Sequence, residues 1–342
     1  MRYLHIDNVE PGQYLGKTIY SANGAVLLNE GVQLTVYMIS TLRRIGVTMI
    51  YIRDKLLEDV TIENVVSDET KQAVMRKMGE TFDTVLSGKE FSSKQLGSTV
   101  DNLIEEIMRN RDVLVQLTDI ISEDNAMYIH AVNVCMMSVI VGLNLKFNAN
   151  QLKELALGAL LHDIGKIGLE EEDKADKRKM HTWRGFEYLK NKREYSLLIA
   201  HVAFQHHEHV DGSGTPRNLI GDQIHIYAKI VAIANLFDNL VSGTAGRKRM
   251  PPHEACEYMM SLSGTELDPA VLAEFFRIVS IYPTGTSVKL TTKEIGVIVG
   301  QHRGLPGRPI VRVIKSSPDD EVDIKEVDLA FQTTVFIDSI VN

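Results

Sequence analysis

Apolar positions in residues 1–55 come in short alternating runs broken by turn residues. Glu10–Pro11–Gly12 and Asn23–Gly24 are turn signals, and the apolar residues flanking Asn23–Gly24 predict a hairpin over 18–20 and 25–28. Val36, Ile39, Leu42 and Ile45 recur every third residue, which predicts a helix over 36–45, followed by a β-rich run at 48–52. These elements predict a small α+β module over residues 1–55. Residues 56–112 are more polar. They keep helical spacing at Val74, Met78, Phe82 and Val85 and again at Val100, Leu103 and Ile107, so a helical connector is expected.

From 113 to 283 the pattern is helical throughout. Residues 127–143 are apolar almost all round, the mark of a buried central helix. Further helices are predicted at 152–161, 183–190, 195–205, 224–240, 252–260 and 269–279, with stops at Asn148, Gly165, Gly212–Gly214 and Gly243–Gly246. After Tyr282–Pro283 the texture changes to strands at 287–290, 295–299, 310–314 and 335–340, separated by Gly and Pro turns. The predicted class is mainly α. An all-α domain over 113–283 stands between the N-terminal pieces and a small β-rich tail over 284–342.

Composition narrows the function. A net charge of −8 gives no global basic field, so no DNA or RNA partner is expected. The basic clusters at 174–179 and 247–249 read as solvated, with a small-ligand phosphate contact as the sharper role for Arg247. Cys135 and Cys256 are the only cysteines and lie far apart, which excludes a disulfide framework and argues against a zinc–thiolate site. The first residues lack a signal-peptide pattern, and the longest apolar stretch, 131–145, is interrupted by Asn133, Ser138 and Asn144. A cytoplasmic protein without a membrane span is expected.

The histidines carry the chemistry. His130, the pair His162–Asp163, His181 and the pair His206–His207 all fall in the helical domain, with Asn235 and Asp238 further on. Burying so many polar groups without partners would cost several kcal/mol apiece, roughly 2–7 by transfer scales, whereas metal coordination satisfies them together. Consecutive imidazole and carboxylate groups at a helix end can face one cation from two sides, and a carboxylate can bridge two cations. Nitrogen and carboxylate ligands without thiolate suit iron or manganese, with zinc allowed. Two such cations activate a bridging hydroxide and neutralise a phosphoryl group. Lys166, four residues after His162, either places an ammonium on the phosphate or is an ordinary exposed lysine.

The blocks LLHDIGKIGL, HHEHVDGSGTPRNLIG and IVAIANLFDNLVSG resemble, in order and spacing over roughly residues 120–282, the signature blocks of the HD-GYP family of bacterial cyclic-di-GMP phosphodiesterases. The segments around NGAVLLNEGVQLT and IGVIVG are similar to the modules that often flank those domains. The resemblance implies an all-α HD-superfamily domain. It also implies metal ligands at His130, His162, Asp163 as the bridging carboxylate, His181, His206, His207 and, at the last aspartate's position, Asn235. It gives Lys166 the scissile phosphate, and puts Gly214, Thr215 and Arg247 on the substrate. Ala126 stands where some members carry a glutamate for a third metal, so two divalent ions are implied.

Three positions depart from the family: Asn235 brings no charge, Thr215 replaces the tyrosine of the GYP motif, and Thr244 replaces the first arginine of the SxRPYR block. Two classes therefore stay open. One is a two-metal cyclic-di-GMP phosphodiesterase with Asp163 and Lys166 catalytic. The other is a degenerate domain kept as a nucleotide receptor or protein-interaction module. A phosphohydrolase of another nucleotide is also allowed. Residues 1–112 carry no catalytic signature and are expected to regulate, either by homodimerisation or by meeting a signalling partner.

Overall fold

The computed structural model describes residues 1–21, 25–89, 93–117, 119, 121, 125–168, 177–192, 194–243, 249–316 and 322–341. Thr244 and Arg247 lie outside the described residues. The chain forms two compact units: residues 1–64, 112–126 and 279–342 make one, and residues 65–111 and 127–278 make the other.

The first unit holds the N-terminal module and the C-terminal sheet. Strand β1 (Arg2–His5) pairs antiparallel with β4 (Met49–Ile52), and β2 (Ile19–Tyr20) with β3 (Val26–Leu28). Helix α1 (Val36–Arg44) starts at Thr35, whose side chain accepts the Met38 N–H. Its Ile39 and Leu42 join Leu15, Ile19, Leu34 and Ile50 in a small core. Strands β5 (Ser287–Leu290), β6 (Ile295–Gly300), β7 (Ile310–Ser316), β8 (Val322–Asp328) and β9 (Ile337–Ile340) form an antiparallel sheet in the order β8-β7-β6-β5-β9. Strand β8 is absent from the sequence reading, because four of the seven residues of VDIKEVD are charged and the adjacent Lys325–Glu326 break the apolar–polar alternation that marks a strand.

The second unit is helical. Helices α2 (Asp68–Leu86) and α3 (Ser93–Arg109) pack on each other, and α3 packs on α5 (Ala149–Leu161). Residues 65–111 of the expected connector thus belong to the same unit as the histidines. Helix α4 (Ala126–Asn144) is long and apolar enough to cross a membrane by composition, yet 78% of that stretch is buried, as befits a core helix. Asn148 is not a helix stop. It is the N-cap of α5, where its side chain takes the Gln151 N–H at 3.0 Å while Gln151 Oε1 takes the Asn148 N–H at 2.9 Å. The remaining helices are α6 (Lys177–Lys190), α7 (Leu197–Gln205), α8 (Ile226–Ser242), α9 (Pro252–Ser261) and α10 (Pro269–Phe276). Helix α8 stops at Gly243, whose φ of 71° suits glycine.

Candidate metal centre

Four helices converge on one acidic residue. His130 lies on the buried face of α4, His162 caps the C-terminus of α5, His181 lies on α6, and His206 caps α7 with His207 after it. Asp163 opens the 3₁₀ turn Ile164–Lys166, and Gly165 within it explains how that turn reaches α6. A Cβ on Gly165 would overlap the His181 carbonyl oxygen and press on the Gly185 nitrogen, so only glycine lets the two backbones meet.

The imidazoles fall into two groups about the two oxygens of Asp163. Oδ2 lies 3.8 Å from His130 Nε2 and 3.4 Å from His162 Nε2. Oδ1 lies 3.4 Å from His181 Nε2 and 3.6 Å from His206 Nε2. His207 joins the second group, its ring centroid 5.1 Å from that of His181. Within each group, His130–His162–Asp163 and His181–His206–His207, one ligand atom per residue lies within 4.8 Å of the others.

The outer nitrogens set which face each ring presents. His162 Nδ1 sits 2.7 Å from the Ala159 carbonyl, and His206 Nδ1 3.0 Å from the Ala203 carbonyl. A carbonyl only accepts, so in both rings Nδ1 carries the proton and Nε2 turns a lone pair inward. His130 Nδ1 donates to Asp238 Oδ2 at 2.6 Å, and Asp238 Oδ1 accepts from Asn133 Nδ2 at 2.9 Å. Asp238 therefore orients His130 and is not itself turned to the centre.

Electrostatics follow from this packing. Burial pushes the His206 imidazole down to about 3, so it stays neutral at physiological pH. Burial also works against a charged His130, but the hydrogen bond and charge of Asp238 overcome it and raise that group above its ordinary value. For Asp163 burial raises the carboxyl, yet His162, Lys166 and the surrounding hydrogen bonds outweigh it and hold the group well below the usual range.

A cation fits these residues. His181 Nε2 and His206 Nε2 face each other at 3.3 Å, as do His130 Nε2 and His162 Nε2. Asp163 Oδ1 is buried and accepts no well-directed hydrogen bond. Inward lone pairs around an unsatisfied buried carboxylate oxygen are a donor set that a divalent ion completes.

Residues 115–271 match the HD domain family, and residues 287–342 match the KOW domain associated with HD domain. Residues 115–271, just under half of the chain, are thus similar to that family's HD domain. This HD-domain protein is similar to the cyclic di-GMP phosphodiesterase PA4108 of Pseudomonas aeruginosa, 28% identical over 275 residues covering 78% of this chain and 65% of that one. It is 36% identical over 136 residues to a cyclic di-GMP phosphodiesterase of Thermotoga maritima, covering 36% of this chain and 37% of the relative. It is 33% identical over 138 residues to the 3'3'-cGAMP-specific phosphodiesterase 3 of Vibrio cholerae, covering 38% and 30%. The HD-domain protein spans less than two thirds of the length of each of these relatives.

Other expected site residues fall around this centre in different ways. Lys166 does not continue α5 by a turn; from the 3₁₀ turn its Nζ meets Asp163 Oδ2 at 2.5 Å, with the side chain 47% exposed. The Asn235 carbonyl oxygen accepts from Asn239 Nδ2 at 2.7 Å, one turn along α8. Gly214 is required by backbone: a Cβ there would overlap the His209 nitrogen and crowd Glu208. The Thr215 N–H donates to the His207 carbonyl at 2.9 Å, which ties this loop to the histidine pair. Sequence reasoning missed Glu208 in the HD-domain protein. This buried carboxylate accepts the Arg217 N–H at 2.7 Å and the Leu219 N–H at 2.9 Å, bracing the loop that carries Gly214 and Thr215. A carboxylate directly after a histidine pair is the signal that points to it.

Proposed function

We propose that this HD-domain protein is a two-metal phosphodiesterase of cyclic di-GMP, loaded with iron or manganese. One observation carries the reading: each oxygen of Asp163 confronts its own pair of imidazole nitrogens, the arrangement that one carboxylate shared by two ions requires. Divalent cations held there would neutralise phosphodiester charge and acidify water.

The chain's own residues do the rest. The Ala159 and Ala203 carbonyls and Asp238 fix which nitrogen of His162, His206 and His130 faces inward. His181 and His207 complete the second group, and Asn235 contributes a weak oxygen or none. Lys166 sits beside Asp163 with much of its side chain in solvent, so its ammonium can turn to a non-bridging phosphate oxygen as charge builds there. Gly214 and Thr215, in the loop tied to His207, would meet the substrate, as would Arg247 by the family resemblance. The test is metal content of protein purified without oxygen, alongside chromatographic turnover of cyclic di-GMP to the linear dinucleotide. Protein that carries no metal sinks the reading.

A second reading, a nucleotide receptor without turnover, is favoured by Asn235, which has no charge and whose oxygen already serves Asn239. Asn235→Asp separates the two. If the asparagine limits loading, the carboxylate raises metal occupancy and turnover; unchanged occupancy assigns that position no ligand.

A further inference from the structure

Helices α7 and α8 serve opposite sides of the metal centre. Helix α7 ends in Gln205 and delivers His206 and His207, whereas α8 carries Asp238, which orients His130. One side chain joins the two helices. Gln205, only 5% exposed, accepts the His225 N–H on its Oε1 at 2.9 Å, and His225 is the N-cap of α8. The Gln205 Nε2 lies 3.4 Å from His201 Nδ1, one turn back on α7.

Chemistry fixes the direction of both contacts. A backbone N–H only donates, so the Gln205 oxygen must face His225 and the amide nitrogen must face His201. That nitrogen only donates, so His201 Nδ1 accepts with its lone pair. One step on, His225 Nδ1 accepts the Tyr227 N–H at 3.2 Å and so caps α8. Both histidines thus use Nδ1 as an acceptor, a role open to an imidazole only while it is neutral. A protonated His201 would turn an N–H onto the N–H of Gln205. The amide could answer only by rotating, and its oxygen would then leave the His225 N–H. A protonated His225 would drop the Tyr227 N–H.

The surroundings favour the neutral rings. Burial holds His201 below its ordinary value, and the charge of Arg217 adds to the effect; the Phe186 ring of α6, also beside it, carries no charge. Burial lowers His225 as well, a charge on His201 lowers it further, and Glu154 of α5 works the other way. Arg217, Glu154 and the two histidines are the charged or titratable groups that act on this joint. The joint is therefore closed at physiological pH and opens on the acid side of ordinary histidine titration.

We propose that Gln205 is a positioning residue for the metal centre and that His201 and His225 make it proton-sensitive. While both are neutral, the end of α7 is held on the start of α8; protonation releases it and loosens the His206–His207 pair. The coupling to metal rests on the two-metal reading of the centre, whereas the joint itself does not.

Asparagine supplies the test. Its Oδ1 stands where histidine Nδ1 stands, accepts the same N–H, cannot be protonated and suits an N-cap. The first measurement is protection of the His225 and Tyr227 amides against hydrogen exchange, on the full chain with chelator present. Between about pH 8 and pH 5, the range in which histidine titrates, parent protection falls. The fall is roughly 2–10-fold, the span of one hydrogen bond. The double variant His201→Asn/His225→Asn keeps its protection.

The second measurement is manganese affinity against a competing chelator over the same range. Proton competition at the ligand histidines is common to parent and double variant, so their ratio isolates the joint. The ratio is near one at the alkaline end and turns against the parent on acidification, while Gln205→Leu is weaker than the parent at the alkaline end. Equal loss of amide protection in parent and double variant overturns the switch. A manganese ratio that stays constant, or full affinity in Gln205→Leu, overturns the positioning role. A chain that binds no manganese overturns the reading of the centre and the positioning role with it, and amide protection then still decides whether the joint titrates.

Discussion

Asp238→Asn isolates one half of the metal centre. Asp238 is fully buried, and its Oδ2 takes the His130 Nδ1 proton at 2.6 Å. Asparagine keeps the volume and one accepting oxygen, but the bond loses its charge. Charge-assisted hydrogen bonds are about twice as strong as neutral ones. Removing such a partner behind a metal-binding histidine typically weakens metal roughly 10–100-fold, about 1.4–2.7 kcal/mol. The loss should fall on the ion held by His130 and His162. His181 and His206 lie on the other oxygen of Asp163, so the second ion keeps its affinity. Manganese titration against a competing chelator therefore shows one site weakened in the variant while the other keeps its parent affinity.

The pH dependence has a definite sign. Asp238 raises His130 above its ordinary value, and a metal must displace the proton that His130 then carries. Parent affinity therefore rises with pH until that raised value is passed. In Asp238→Asn the proton is held less tightly, so the variant's deficit is largest at high pH and narrows as pH falls. A deficit that widens on acidification, or equal weakening of both ions, would refute the assignment of Asp238 to His130.

Three further outcomes follow from the same geometry. Asp163→Ala should remove both ions and all turnover, whereas Lys166→Ala should keep metal and lower turnover by roughly 10²–10³-fold, the loss expected for one electrostatic donor; equal metal loss in both, by elemental analysis, would mean that Lys166 braces Asp163 and does not act on phosphate. Glu208→Ala leaves the Arg217 and Leu219 N–H groups without their acceptor, at about 1–3 kcal/mol each where water cannot reach them, read as a lower urea midpoint with metal binding retained. Gly165→Ala drives a methyl group into the His181 carbonyl, so it should cost at least about 2 kcal/mol of stability and lower metal occupancy together; a fully loaded, equally stable variant would contradict the close approach.

What the sequence reveals and what it hides divides by the range of the interaction. Helix α4 is legible because its apolar positions run right round, and only full burial suits such a helix. The histidines are legible because uncompensated burial of so many imidazoles would cost too much. Which oxygen of Asp163 each histidine faces is not legible, since it depends on how α4, α5, α6 and α7 cross. The stop assigned to Asn148 failed because asparagine serves both helix ends, and the deciding partner, Gln151, lies beyond the point where the pattern was cut.

Lys166 shows the same limit at shorter range. A turn of α-helix and a turn of 3₁₀ helix place residue 166 differently, and the choice is made by α6 backbone pressing on Gly165. Arg312 joins Asp59 to β7 across 253 residues, so no local pattern announces that pairing.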